Sequence, residues 1–229
     1  MAYYLIHACN KRLWYVKDFL IPSMLEQGIE QSHILVYRDK NCIGNLRAWV
    51  DSCNRLVAQS NRDKIDGVWH LQDDVVICKD FKERTEKYDN GIVCGFTCNY
   101  DDTPVAGTFP LYEEKMWFSF PCIRIPTDIL ERFVCWANIN LWQSQYFREN
   151  VLRNSADDFV FREWLYDNYG EMDELNLAPN LVNHIDYLIN GSVVNGHRTW
   201  DTTSMFWDDT ETLNELEQAI KKYREEKLL

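Results

Sequence analysis

Several features that would settle a function quickly are missing from this chain. Its eight cysteines, at 9, 42, 53, 78, 94, 98, 122 and 135, include no C-x-x-C pair, so neither a zinc ribbon nor a thioredoxin-like motif is spelled out. They sit mostly in apolar runs and read as buried thiols. No secretory n-region and h-region opens the sequence, which leads us to expect a reducing, cytoplasmic setting. No apolar run approaches the roughly 18 residues that span a bilayer, so a soluble protein without a membrane span is expected. Gly28 and Gly44 stand alone, and no glycine-rich, lysine-bearing phosphate loop occurs; this removes the best support for a nucleotidyltransferase. Positive charge is scarce, with 24 Lys and Arg against 36 Asp and Glu, a net of −12. A nucleic-acid backbone is therefore a disfavoured partner.

What the sequence does hold is core material: 46% of its 229 residues are hydrophobic, with 9 Trp, 12 Tyr and 11 Phe. One large domain can be built from this without cross-links. Apolar runs of strand length alternate with segments of helical period, the pattern of an α/β domain with a largely parallel sheet. Tyr3 to Ala8 and His33 to Tyr37 read as strands. Between them Val16, Phe19, Leu20, Met24 and Leu25 form a helical stripe that Gly28 ends and Pro22 kinks. Residues 45 to 59 carry a stripe from Leu46 to Val57 and read as a helix. Val68 to Leu71, Val75 to Cys78, Gly91 to Phe96, Met116 to Ile125 and residues 180 to 185 read as further strands. Residues 100 to 115, with Asp101, Asp102, Pro104, Gly107 and Pro110, read as a surface loop. Helices are expected from Thr127 to Trp136, from Ser155 to Asn168 and from Thr210 onward.

Four Asp-Asp pairs occur, at 73-74, 101-102, 157-158 and 208-209. Only the first lies between apolar runs, in WHL-QDD-VVIC, where a buried strand must deliver two carboxylates at its end. Like charges there are costly unless a cation or donors satisfy them. The carboxyl ends of strands in an open α/β sheet are also where ligands sit. Taken alone, Asp73 and Asp74 read equally well as a solvated turn.

Gln72-Asp73-Asp74, the later Pro179-Asn180-Leu181-Val182-Asn183-His184-Ile185 with Gly191-Ser192, Arg198 and Phe206, and Ser155-Ala156-Asp157-Asp158-Phe159 together resemble glycosyltransferases of the GT-A type. The resemblance covers most of residues 1 to 207 in order. It implies a GT-A (Rossmann-like) α/β/α sandwich with a mostly parallel central sheet. Residues 1 to 208 would form one catalytic domain, with a donor half of about 1 to 99 and an acceptor half of about 100 to 208, followed by a helix over 209 to 229.

The roles follow position by position. Asp74, as the last acid of a D-x-D-like motif, and His184 would hold Mn²⁺ or Mg²⁺; imidazole favours the former somewhat. Asp73 would support the donor. Gln72 stands where the family carries an acid, which leaves it hydrogen bonding. His7, Ala8, Cys9 and Asn10 would line base and ribose, Asp39 the uracil or ribose edge, and Gly44 with Arg47 the diphosphate. Asp158, ahead of Asp157, would be the general base of an inverting transfer. Ser155 and Asp158 also stand at capping-box spacing, so a structural helix start is the competing reading. The donor implied is a nucleotide sugar, with a UDP-sugar favoured. The acceptor would be a glycan, a lipid-linked sugar, a protein or a modified DNA base, as in phage enzymes of this type. A non-catalytic sugar-binding module of the same fold is the alternative from another class.

Overall fold

The computed structural model describes residues 2–40, 45–63, 65–96, 107–110, 120–141, 157–170, 173–189 and 207–227. Their elements in order are β1 (Tyr3–Cys9), α1 (Leu13–Tyr15), a π-helical turn (Val16–Leu20), α2 (Ile21–Glu26), β2 (Ile34–Asp39), α3 (Asn45–Asp63), β3 (Gly67–Gln72), β4 (Val75–Ile77) and α4 (Phe81–Thr85). There follow β5 (Ile92–Cys94), β6 (Gly107–Pro110), β7 (Cys122–Pro126), α5 (Thr127–Asn140), α6 (Asp157–Tyr169), β8 (Asp173–Asn176), β9 (Val182–His184) and α7 (Thr210–Lys227).

Among the described residues seven strands form one sheet in the order β2-β1-β3-β7-β5-β8-β6. β2, β1 and β3 pair in parallel, β5 pairs in parallel with β8, and β7 and β6 run against their neighbours. The protein is therefore α/β with a mixed sheet in which most strands run one way. β4 and β9 leave this sheet and pair only with each other, antiparallel.

Strand alternation sends residues to two apolar layers. Tyr4, Ile6 and Ala8 of β1 pack with Tyr15, Leu20 and Met24, with β4, and with Leu181, Val182, Ile185 and Ile220. Leu5 faces the other layer, where α3, α5 and α6 bring Trp49, Phe133, Phe161 and Trp164 together. Ring centroids there lie 4.9 Å apart for Trp49 and Phe133 and 5.0 Å apart for Phe133 and Phe161.

Some local expectations change. Leu25 is exposed, outside the stripe assigned to it. The π-helical turn comes just before Pro22, whose missing N–H cannot bond back along the helix. Gly107–Pro110, read as loop, is strand β6, at the sheet edge where a proline costs no ladder bond. Gly28 ends the first helical segment at φ +78°, a conformation that strains other residues.

The last helix is tied down at both ends. Asp209 accepts from the Thr212 amide at 3.3 Å and from the Lys79 amide at 2.8 Å, so it caps α7 and joins it to the turn after β4. Further along, Tyr223 stacks on Trp14 at 5.2 Å and its hydroxyl donates to Asp18 at 2.7 Å. Arg224 donates to the carbonyl of Leu188. Among the described residues no helix is long and apolar enough to cross a membrane.

Candidate cation and nucleotide site

Three parallel strands end side by side, and their carboxyl ends make the site. In register His7 lies opposite Gln72 and Tyr37, and Cys9 lies opposite Asp39. The chain then turns at Asp73 and Asp74 into β4, whose partner β9 carries His184 directly opposite Val75. The Ile185 amide donates to the Asp74 carbonyl at 2.8 Å, which pins the two turns together. Asp74 and His184, 110 positions apart, are joined by that ribbon.

Both aspartates are only 6% exposed. Asp73 accepts from the Cys9 amide at 2.6 Å and from Arg12 Nη1 at 3.0 Å. The same Nη1 donates to Asp74 Oδ2, and His184 Nε2 lies 3.1 Å from that oxygen. Asp74 Oδ1 is buried with no hydrogen-bond partner among the described residues. One guanidinium thus bridges two carboxylates, an imidazole meets the second of them, and one carboxylate oxygen is left over.

The proton affinities follow from this wiring. Burial, then the charge of Asp74, raise Asp73 above the usual carboxylate range, against Arg12 and the Cys9 amide. Burial would also raise Asp74, but His184 and then Arg12 reverse the effect and hold it below that range. Burial would lower His184, yet Asp74, and more weakly Asp186, raise it. The Cys9 thiol is pushed up to about 12 by burial and then by Asp73; it cannot serve as a thiolate nucleophile.

The remaining expected residues divide. His7 and Asp39 are buried at the strand ends, His7 with its ring 5.8 Å from that of Tyr37, and Ala8 is fully buried. Asn10 is exposed and accepts from Arg38 Nε at 2.7 Å. Gln72 is half-buried, and its amide donates to Pro121. Arg47 is exposed on the first turn of α3, while Gly44 lies outside the described residues. Asp157 and Asp158 open α6. Asp157 is 2% exposed, and its carboxyl is raised well above the ordinary value by burial, then by Asp158, with Asp74 adding to it. Asp158 is half-buried. Ser155, Gly191, Ser192, Arg198 and Phe206 lie outside the described residues, as does the pair 101-102. The pair 208-209 is accounted for by the cap on α7.

Two residues of the cluster have no counterpart in the sequence reading. Arg12 sits in the polar turn Asn10-Lys11-Arg12, and an arginine within one turn of a strand end was the signal available. Asp186 is fully buried two positions after His184, with Oδ1 3.8 Å from His184 Nδ1.

A divalent cation fits this donor set sparsely. Among the described residues no group of three or more His, Cys, Asp and Glu side chains could hold a metal ion. Asp74, with one unpartnered buried oxygen, and His184 make two donors. Such a set suits a hard cation that takes its other ligands from phosphate and water.

No family model matches the chain, and no curated protein matches it. Among solved structures it is similar to A197 from STIV, at 14% identity, over 81% of this chain and 86% of that one, with a TM-score of 0.44. It is similar to a glycosyltransferase involved in the glycosylation of the major capsid of PBCV-1, at 8% identity, over 67% and 75%, with a TM-score of 0.37. A protein assigned as a glucose-1-phosphate thymidylyltransferase from Bacillus anthracis, crystallised with sucrose, matches at 9% identity, over 80% and 89%, with a TM-score of 0.42. The likeness is one of outline, and none of the three fixes a substrate for this chain.

Proposed function

We propose that the protein is a glycosyltransferase of the GT-A type that moves a sugar from a nucleoside diphosphate to an acceptor hydroxyl, with a divalent cation at Asp74 and His184. The observation that carries this is the leftover oxygen: among the described residues Asp74 Oδ1 is buried without a partner, while His184 Nε2 reaches the same carboxylate. A buried acceptor left empty is unusual and calls for an explanation such as a ligand ion. When bound, Mn²⁺ or Mg²⁺ would neutralise the leaving diphosphate.

The chain's own residues would do the rest. His7, Asp39, Cys9 and Asn10 border the place where a nucleoside would lie, with a UDP-sugar the favoured donor. Arg47 on the first turn of α3 offers a forked donor to phosphate oxygens. Arg12 and Asp73 hold Asp74 in place. Asp158, half-buried at the start of α6, is the carboxylate an acceptor hydroxyl can reach, and transfer with it as base would invert the anomeric centre. Asp157, buried and with its carboxyl raised well above the ordinary value by burial and then by Asp158, would lie beside it. Glycans, lipid-linked sugars, proteins and modified bases all present the hydroxyl this requires.

The test is nucleotide release from a panel of UDP-sugars with and without Mn²⁺. We expect release by the parent from at least one donor, loss of it in EDTA, and a fall of about a hundredfold in Asp74→Asn, roughly 2.7 kcal/mol of barrier. A parent protein that releases no nucleotide from any donor would return the fold to a binding role.

A further inference from the structure

We propose that Asp186 is a positioning residue for His184: it faces Nδ1 and, when a cation replaces the Nε2–H that now meets Asp74, takes the Nδ1–H, so that the Nε2 lone pair is turned to the cation. This rests on the reading of Asp74 and His184 given above. The geometry is a ring held between two carboxylates, one per nitrogen. His184 Nε2 lies 3.1 Å from Asp74 Oδ2, and Nδ1 lies 3.8 Å from Asp186 Oδ1.

Asp186 is hard to explain by stability. It is fully buried, and neither carboxylate oxygen has a hydrogen-bond partner among the described residues. The turn it belongs to is held by main chain instead, through the Leu188 amide to the Ile185 carbonyl at 2.9 Å and the Ile189 amide to the Asp186 carbonyl at 3.2 Å. A buried carboxylate without donors is a cost to folding. A role that repays the cost is orientation: a histidine that ligates a metal characteristically donates its other N–H to a carboxylate or carbonyl, which fixes tautomer and ring plane. Asp186 is the carboxylate nearest that nitrogen. The Ile185 amide, next to Asp186 in the chain, donates to the Asp74 carbonyl at 2.8 Å, which holds the two turns together.

The experiment measures Mn²⁺ affinity of the full chain with saturating UDP, against a protein-free UDP blank, by electron paramagnetic resonance of the free ion, with circular dichroism to confirm folding. Asp186→Leu, and Asp186→Ala as a smaller alternative, should weaken Mn²⁺ binding by about 10- to 100-fold. Their melting temperature should hold or rise, because a buried group without donors has been removed; a purely structural residue would lower it. Asp186→Asn keeps an acceptor for Nδ1–H and should stay within about threefold of the parent. In a His184→Ala background, Asp186→Leu should cost nothing further, since its action runs through the ring. Unchanged affinity in a folded Leu or Ala variant, a loss in the Asn variant equal to theirs, or a full extra loss in the His184→Ala background would each overturn the proposal. Asp74→Asn and His184→Ala report on the cation reading itself. If those two bind Mn²⁺ like the parent, the cation site falls. If they bind weakly while Asp186→Leu binds normally, only the role of Asp186 falls.

Discussion

Between pH 7 and pH 4 the protein is expected to lose about 6 kcal/mol of folding stability through two histidines alone, roughly 3 from each. His7 is lowered to about 4, chiefly by burial, with Asp39 and Asp74 only partly offsetting it. His70 is lowered to about 3 by burial and then by the nearby His7, with the backbone of Phe120 opposing weakly. Its ring lies 5.5 Å from Phe120 and 6.2 Å from Trp49, an apolar setting with no charge to receive a proton. A histidine depressed in the folded state contributes stability in full above its unfolded value near 6.5. That contribution is lost as pH falls toward the folded value, because the unfolded chain takes up the proton first. Other groups move differently: Asp73 and Asp157 are raised, so the cost of burying them eases as pH falls and offsets part of the histidine loss. His184 is raised, so its contribution is present below pH 6.5 and fades as pH rises through its folded value. Asp74 is lowered, so its contribution is lost only below the ordinary carboxylate range. A loss of about 6 kcal/mol rivals the whole stability of a typical domain. Urea midpoints from pH 7 to pH 4 should therefore fall steeply, and His70→Leu should flatten the slope by about half. A His70→Leu variant whose midpoint depends on pH as the parent's does would show that this ring is not buried neutral.

Arg12→Met should cost about 3–5 kcal/mol and lower the melting temperature by about 10 °C, because removing one partner of a buried ionic cluster leaves the others uncompensated. Arg12 is 5% exposed and bridges Asp73 and Asp74 from a single nitrogen. Its loss leaves two adjacent buried carboxylates with His184 and one backbone amide between them. Added Mn²⁺ should restore part of the loss, and should stabilise the variant more than the parent, since the competing guanidinium is gone. Thermal melts of both proteins with and without Mn²⁺ read this directly. Equal Mn²⁺ responses would mean that Arg12 and a cation do not share the site.

The parts legible in the sequence were those carried by local pattern. β1, β3 and α3 announce themselves by alternation or by a helical stripe, and the apolar flanks of Asp73-Asp74 single out that pair from the other three. The parts that were not legible depend on distant partners. Arg12 follows Asn10 and Lys11, as a solvated loop residue would, and only Asp73, 61 positions on, turns it inward. Asp186 is one acid among 36, and its burial depends on where the β4–β9 ribbon folds. β8 reads Asp-Glu-Leu-Asn and shows no alternation; it is a strand because β5 and β6 flank it. β6 is bounded by glycine and proline, which signal a turn wherever the sheet edge is not foreseen. The expected strand at residues 180 to 185 exists, but it pairs with β4 outside the main sheet.

That separate ribbon sets an order of events. All seven strands of the main sheet lie before residue 177, whereas the partner of β4 begins at Val182. During synthesis, which adds about 5–20 residues per second, the described strands of the sheet can pair while Asp73 and Asp74 have Arg12 and the Cys9 amide beside them but not yet His184. His184 and Asp186 then close the cluster, and α7 follows to clasp both turns. The Asp73–Asp74 cluster is thus completed after the strands of the main sheet, by a segment that also closes the core over β1 and β4.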